Sequence, residues 1–514
     1  MGVRGGAPGA PAQGTTPSFQ GRARGPAVTL GPMRTAYSVE TVRAAERALM
    51  AQLPQGALMQ RAAAGLAAAC ADLLGRTYGA RVALLVGSGD NGGDALYAGA
   101  RLARRGAGVT AVLLAPERTH QGGLAALRAA GGRVASAEEG DRAVRRADLV
   151  VDGIVGIGGR GGLRPEAEAL VAAAEGALVL AVDLPSGVDA DSGEVRGATV
   201  RADATVTFGA YKPGLLIDPA RERAGALRLI DIGLGPHLPR RPEAEALQHA
   251  DVAALLPRPA AESDKYRRGV VGVVAGSARY PGAAVLAVAG ALHGGAGAVR
   301  YAGPAAEAVV SRFPETLVSE GPPSKAGRVQ AWVVGPGVGD DAAARRALDD
   351  VLASDVPVLV DADGLRLLPE AAVRARGAET VLTPHAGEAA ALLGVSRSRV
   401  ESARLSAARE LAARFGATAL LKGSTTVVAA PGRTAVRVNP TGTPWLATAG
   451  SGDVLSGVTG SLLAAGLRGL DAASVGAYLH GLAARSLGGA PLTASGVAEA
   501  LAGAWGEVTG HSYE

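Results

Sequence analysis

Two groups of short polar residues and glycines stand out in a 514-residue chain that is 48% hydrophobic. Near the C-terminus, residues 440–457 read P-T-G-T-P-W-L-A-T-A-G-S-G-D-V-L-S-G, followed by an apolar helical stretch. Small residues at a helix start let successive N–H groups, Gly452 among them, hold a transferring phosphoryl group. Asp453 then stands where a base could meet a substrate hydroxyl. No Walker loop is present, since G-x-x-x-x-G-K-[ST] does not occur. Lys422 opens K-G-S-T-T (Lys422, Gly423, Ser424, Thr425, Thr426) directly after an apolar strand. It is one of four lysines among 52 basic residues, which points to a position that needs a compact ammonium, as phosphate binding often does. The turn L-T-P-H-A-G-E (382–388) presents His385 either to a phosphate or ring or simply to its own turn. G-P-G-V-G (335–339) offers a bare backbone edge at Gly337 and Gly339, and D-A-D-G-L (361–365) ends a strand with two carboxylates.

The second group begins with G-S-G-D-N-G-G-D-A-L at 87–96. Its glycines, Gly92 and Gly93 included, are expected to let backbone amides approach an anion at a helix start. Asp90, Asn91 and Asp94 supply hard oxygens. As a dinucleotide fingerprint the stretch is weak, because three spaced glycines mean little in a chain with 75 of them. Asp152 ends a strand before a glycine-rich loop comprising Gly156, Ile157, Gly158, Gly159, Arg160, Gly161 and Gly162. Asp183 ends another and is followed by Pro185, Ser186 and Gly187. Carboxylate and amide oxygens from three strand ends thus converge on the edge of a parallel sheet where ligands usually bind.

The elements that must hold these residues are short apolar runs flanked by glycine and separated by helical stretches, the pattern of buried parallel strands joined by helices. One series runs from Arg81 to Ala210 and another from Gly269 to Ala430. The expected architecture is α/β in two domains, at 34–235 and 263–510. A proline-rich linker with one short helix spans 236–262, and a disordered glycine-proline extension covers 1–33. The arginine excess is spread along the chain without interleaved aromatics, so no nucleic-acid partner is expected. A single cysteine excludes an intrachain disulfide, the seven histidines lack metal-ligand spacing, and no uninterrupted apolar run suggests a membrane span. A cytoplasmic protein acting as a homo-oligomer is the expectation.

Taken in order, G-S-G-D-N-G-G-D, V-D-G-I-V-G-I-G and V-D-L-P-S-G resemble the epimerase domain of the NAD(P)H-hydrate repair family, over about residues 35–235. The resemblance implies a Rossmann-like three-layer sandwich that interconverts the epimers of C6-hydrated cofactors, NADHX and NADPHX, with bound K+. It implies K+ ligation by Asn91, Asp152 and Ser186, and cofactor binding by residues 90–94 and 156–162. Asp183 would contact the hydrated ring and is favoured for the proton transfer, ahead of Asp94. G-P-G-V-G, D-A-D-G-L, T-P-H-A-G-E, K-G-S-T-T and A-T-A-G-S-G-D-V-L likewise resemble the ADP/ATP-dependent NAD(P)H-hydrate dehydratases, over about residues 263–508. This implies a ribokinase-like fold with an adenine nucleotide and Mg2+ at residues 422–426 and Gly452. Ala283, Gly337 or Gly339, His385 and Asp453 would face the hydrated cofactor. Asp453 would take the C6 hydroxyl proton, the nucleotide would phosphorylate that oxygen, and loss of phosphate would restore the dihydronicotinamide. Two rival readings are a vitamin-precursor kinase on the same fold and an N-terminal domain that only senses ligands or binds proteins.

Overall fold

The computed structural model describes residues 1–2, 33–159, 161–432 and 434–510. Most of the expected N-terminal extension, and Arg160 of the glycine-rich loop, lie outside the described residues.

The described residues build two sheets. The smaller has seven strands, all parallel, in the order Arg133–Ala135, Gly108–Leu113, Arg81–Val86, Leu149–Gly153, Leu178–Val182, Ala204–Phe208, Ala226–Ile230. Runs such as R-V-A-L-L-V are buried almost throughout, as a sheet covered by helices on both faces requires. Strand order reverses direction between Arg81–Val86 and Leu149–Gly153. The turns leaving their carboxyl ends therefore flank a crevice at the switch point. The helix Ala57–Leu74 is long and apolar enough to cross a membrane by composition alone. Its Leu66, Ala67 and Cys70 instead pack in the core of this sheet's domain.

The larger sheet has eleven strands. Seven are parallel, in the order Leu317–Ser319, Ala298–Ala302, Val270–Val274, Ala331–Val334, Val358–Val360, Thr380–Leu382, Thr418–Leu421. Thr426–Ala429 and Val436–Asn439 then extend it antiparallel. Helices Pro281–His293 and Ser451–Ala464 cross against this sheet at glycine contacts. A Cβ at Gly290 would lie 2.2 Å from the Val454 carbonyl oxygen, and one at Gly457 2.1 Å from that of Ala287. Only glycine allows that approach, and it fixes the first turn of the second helix, with Asp453, over the sheet's carboxyl edge.

Residues 236–262, expected as a linker, do hold one short helix, His249–Leu255, but they also carry the strand Ala244–Ala246. That strand pairs in parallel with Val436–Asn439, and Arg34–Ala36 pairs with it antiparallel. The segment is thus built into the larger sheet, and the first strand of the described residues lies there too. Just after it, Ser38 caps the helix Val39–Met50, whose Val42, Ala45 and Leu49 enter the core of the smaller sheet's domain. Strands of three residues are too short to show a period among prolines and charges, which is why 236–262 reads as a connection.

Candidate active sites

The crevice of the smaller sheet is a cleft of about 1450 Å3. Asp90, Asn91, Asp94, Gly156, Ile157, Gly158, Gly159, Gly161, Gly162 and Asp183 line it. Residues 90–94 form the start of the helix Asp90–Arg104, after Gly89 at φ 91°. Gly92 and Gly93 do not line the cleft. A Cβ at Gly92 would lie 2.5 Å from the Gly87 carbonyl, and one at Gly93 about 3 Å from Met59 and His120. The missing side chains at these two glycines thus make room for close packing at the helix start.

Asp183 adopts φ 67°, unusual for a residue with a side chain, and accepts hydrogen bonds from Lys212 Nζ at 2.5 Å and Thr207 Oγ1 at 3.0 Å. Lys212 is 1% exposed, so this is a buried ion pair. Across the same cleft Asp94 Oδ1 is buried without a hydrogen-bond partner. Burial holds the Asp94 carboxyl well above the usual carboxylate range, and the charges of Asp183, Asp90 and Glu46 add to the effect. Beneath the cleft floor, Asp152 accepts from the Ser186 N–H at 2.8 Å, Ser186 Oγ at 2.7 Å and the Ile154 N–H at 3.2 Å. Burial pushes Asp152 up to about 6, against those hydrogen bonds. Ser186 Oγ also accepts from the Val155 N–H at 3.0 Å. Asn91 joins the group through Gly156, whose Cβ, if present, would lie 2.8 Å from Asn91 Oδ1, while Asn91 Nδ2 is buried without a partner. Asn91, Asp152 and Ser186 are thus brought together around residues 153–156.

In the larger sheet, Lys422 leaves the end of Thr418–Leu421 and donates to Asp361 Oδ1 at 2.7 Å, with Glu388 at 3.8 Å. Asp361 is buried and its other oxygen accepts from Ser456 Oγ at 2.7 Å. Burial alone would lower the Lys422 ammonium, but the charges of Asp361 and Glu388 outweigh it and hold the group raised. A Cβ at Gly452 would lie 3.3 Å from Lys422 Nζ, so the helix start and the lysine meet as expected of a phosphate site. Asp453, in that first turn, is pushed up to about 7 by burial and by the charge of Asp361, with Lys422 opposing. Gly337, at φ 64°, faces Ala283, whose Cβ would lie 2.7 Å from a Cβ there. The Gly339 N–H donates to Asp363 Oδ2 at 3.0 Å. His385 caps the helix Ala386–Leu393 through Nδ1 and forms a capping box with Glu388; its ring is otherwise exposed.

Two of the expected nucleotide contacts turn inward. Thr425 and Thr426 are buried, and the Thr425 N–H and Oγ1 both donate to Asp218, a residue of the smaller sheet's domain. Sequence reading also passes over Lys212, Arg404 and Asp218. Lys212 had a visible signal, the same scarcity of lysine that singles out Lys422. Arg404 and Asp218 had none, because their partners are far along the chain.

The chain is similar to proteins with a named activity. A family described as NAD(P)H-hydrate dehydratase matches residues 271–501, and one described as YjeF-related protein N-terminus matches residues 55–214. The bifunctional NAD(P)H-hydrate repair enzyme Nnr of Mycobacterium leprae is 50% identical across 88% of this chain and 94% of its own. That of Corynebacterium glutamicum is 37% identical across 93% and 99%. Among solved structures, the ADP/ATP-dependent NAD(P)H-hydrate dehydratase from Bacillus subtilis, co-crystallised with ATP/Mg2+, covers 51% of this chain and 97% of that one, at 30% identity and a TM-score of 0.47.

Proposed function

The chain belongs to the family of bifunctional NAD(P)H-hydrate repair enzymes, and on that premise we propose how each half of the molecule divides the chemistry. The smaller sheet's cleft interconverts the (R) and (S) epimers of NADHX and NADPHX; the larger sheet dehydrates the (S) epimer with ADP or ATP and releases phosphate.

Inverting C6 requires the hydroxyl to leave or the ring to open and then re-form from the other side, and either route needs one group that gives a proton and one that accepts it. Asp94, whose burial favours the protonated form, gives it; Asp183, fixed by Lys212, accepts it. K+ fits at Asn91, Asp152 and Ser186. Asp152 is a fully buried carboxylate whose hydrogen-bond partners are Ser186 and Ile154, with no cation among them, a costly state that a weakly hydrated ion would relieve. Bound there, it would supply fixed positive charge under the cleft floor.

In the larger sheet, Asp453 takes the proton of the C6 hydroxyl as that oxygen accepts the terminal phosphoryl group. Phosphate is then the leaving group in place of hydroxide. Lys422, Gly423, Ser424 and the helix start at Gly452 hold the nucleotide phosphates, and Ala283, Gly337, Gly339 and His385 face the hydrated cofactor. Mg2+ would enter with the phosphates, supported by one or two carboxylates of the cluster around Lys422. A buried lone cysteine requires no oxidising compartment, which supports the cytoplasm as the site of action. The reading rests chiefly on one observation, the Lys422–Asp361 pair set against Asp453 at a glycine-rich helix start. Mixed NADHX epimers with ADP or ATP and Mg2+ test it. Return of reduced-nicotinamide absorbance with equimolar phosphate is expected, whereas a stable phosphoester product would favour a kinase.

A further inference from the structure

The loop at residues 422–425 is held from two directions by opposite charges. From within its own domain, the buried Arg404 guanidinium donates through Nη2 to the carbonyl oxygens of Leu421 at 3.1 Å, Lys422 at 2.9 Å and Thr425 at 3.1 Å. The fit is close enough that a Cβ at Gly423 would lie 2.3 Å from Arg404 Nη2. The loop's donors turn the other way, toward the smaller sheet's domain. There a single carboxylate oxygen, Asp218 Oδ2, accepts from the Thr425 N–H at 2.8 Å, Thr425 Oγ1 at 2.5 Å and Ser424 Oγ at 3.0 Å. These partners are separated by 206 and 207 residues of sequence. Asp218 is 8% exposed, so little water competes for it.

The segment that carries Asp218 is itself fixed. Six residues earlier Lys212 makes the buried pair with Asp183, and a short 3-10 turn, Pro213–Leu215, leads out of that site. Leu215 packs in the smaller sheet's domain, whereas Leu216 and Ile217 belong to the core of the larger sheet, the same cluster as Val427 and Val438. One short stretch therefore starts in one active site and ends on a loop of the other.

We propose that Asp218 is a positioning residue for nucleotide binding, supplied to the dehydratase half by the epimerase half. Arg404 satisfies the loop's acceptors and Asp218 its donors. Together they fix the backbone from which Lys422 reaches Asp361 and approaches Gly452. Removing Asp218 leaves buried donors unpaired and frees the loop, so the nucleotide must order it on binding. The proposal rests on the reading of residues 422–424 and Gly452 as the nucleotide site.

The test uses full-length protein, with ADP and ATP affinity from calorimetry and dehydration kinetics on the (S) epimer. Asp218→Ala is expected to weaken nucleotide binding and raise its KM by about tenfold or more, the scale of losing hydrogen bonds to a charged group. kcat at saturating nucleotide and epimerisation should stay within about threefold. Asp218→Asn, which can offer its amide oxygen to the same three donors, should recover most of the affinity. Amide exchange over 422–426 should quicken in the alanine variant. Thr425→Val, which removes one donor, should give a weaker form of the same KM effect and serves if Asp218→Ala does not fold. Nucleotide affinity and amide exchange in Asp218→Ala like those of wild type, with Lys422→Ala losing affinity, would overturn the role of Asp218 alone. Unchanged affinity in Lys422→Ala as well would overturn the nucleotide-site reading beneath it.

Discussion

The two candidate sites share no sequence motif, yet each is built around the same electrostatic unit. In the cleft, Asp183 is paired with Lys212 at 2.5 Å; in the larger sheet, Asp361 is paired with Lys422 at 2.7 Å. Beside each paired aspartate stands a second one that burial raises and the paired charge raises further, Asp94 in one site and Asp453 in the other. Strained backbone marks both places. Among the described residues, the non-glycine positions with positive φ are Asp183 itself and Ala362, between Asp361 and Asp363. The sites differ in how the second aspartate is answered. Lys422 also acts on Asp453 and holds it near 7, within reach of titration, whereas the influences on Asp94 all raise it. A base that must alternate between states suits phosphoryl transfer; a carboxyl kept protonated suits proton donation.

The largest effect should come from Asp453→Asn, which keeps shape and removes the base. Dehydration of the (S) epimer should fall by about 100 to 10,000-fold, with nucleotide affinity within a few-fold and epimerisation untouched. Turnover near normal in a folded variant would separate Asp453 from the reaction and leave the likeness of the two sites without a catalytic meaning.

Lys212→Met sharpens the comparison on the other side. It strands Asp183 in a buried place without its cation, a defect that typically costs about 3–5 kcal/mol. Melting temperature should drop markedly and epimerisation should be lost. Lys212→Arg should not restore activity, because a planar guanidinium does not replace a compact ammonium in a buried pocket. An unchanged melting curve would show that the pair is dispensable.

A smaller, selective effect is expected of Asp152→Ala: stalled turnover of the (R) epimer with the (S) epimer processed at the wild-type rate. Exchanging K+ for choline should reproduce the stall in wild-type protein. Protons compete with K+ for a carboxylate that burial raises, so the K+ concentration needed for half-maximal epimerisation should rise as pH falls. Equal rates on both epimers in the variant would count against the ion site and favour a cleft that only binds ligand.

Much of this was legible in the sequence. The order of apolar runs gives the parallel parts of both sheets, because buried parallel strands are continuous apolar segments that stand out from helices. Lysine scarcity leads to Lys422. The same scarcity applies to Lys212, but that residue sits outside any glycine-rich motif. At Gly92 and Gly93 the sequence does not show the close packing that the structure has, because a glycine needed for packing and one needed for an anion look alike in sequence. Ala244–Ala246 and Arg34–Ala36 are too short to carry a period. The contact of Asp218 with Thr425 spans 207 residues, and nothing local in either segment announces it.

Asp453 acts in this scheme as a base raised by burial and further by the charge of Asp361, and the pH dependence of kcat/KM for the (S) epimer measures that directly. A raised carboxyl is protonated below its pKa, so kcat/KM should decline about tenfold per pH unit below about 7 in wild-type protein. In Asp361→Asn, which removes the charge that raises Asp453, the same limb should move to lower pH. A profile flat from pH 5 to 8, or a limb that stays in place in Asp361→Asn, would contradict it.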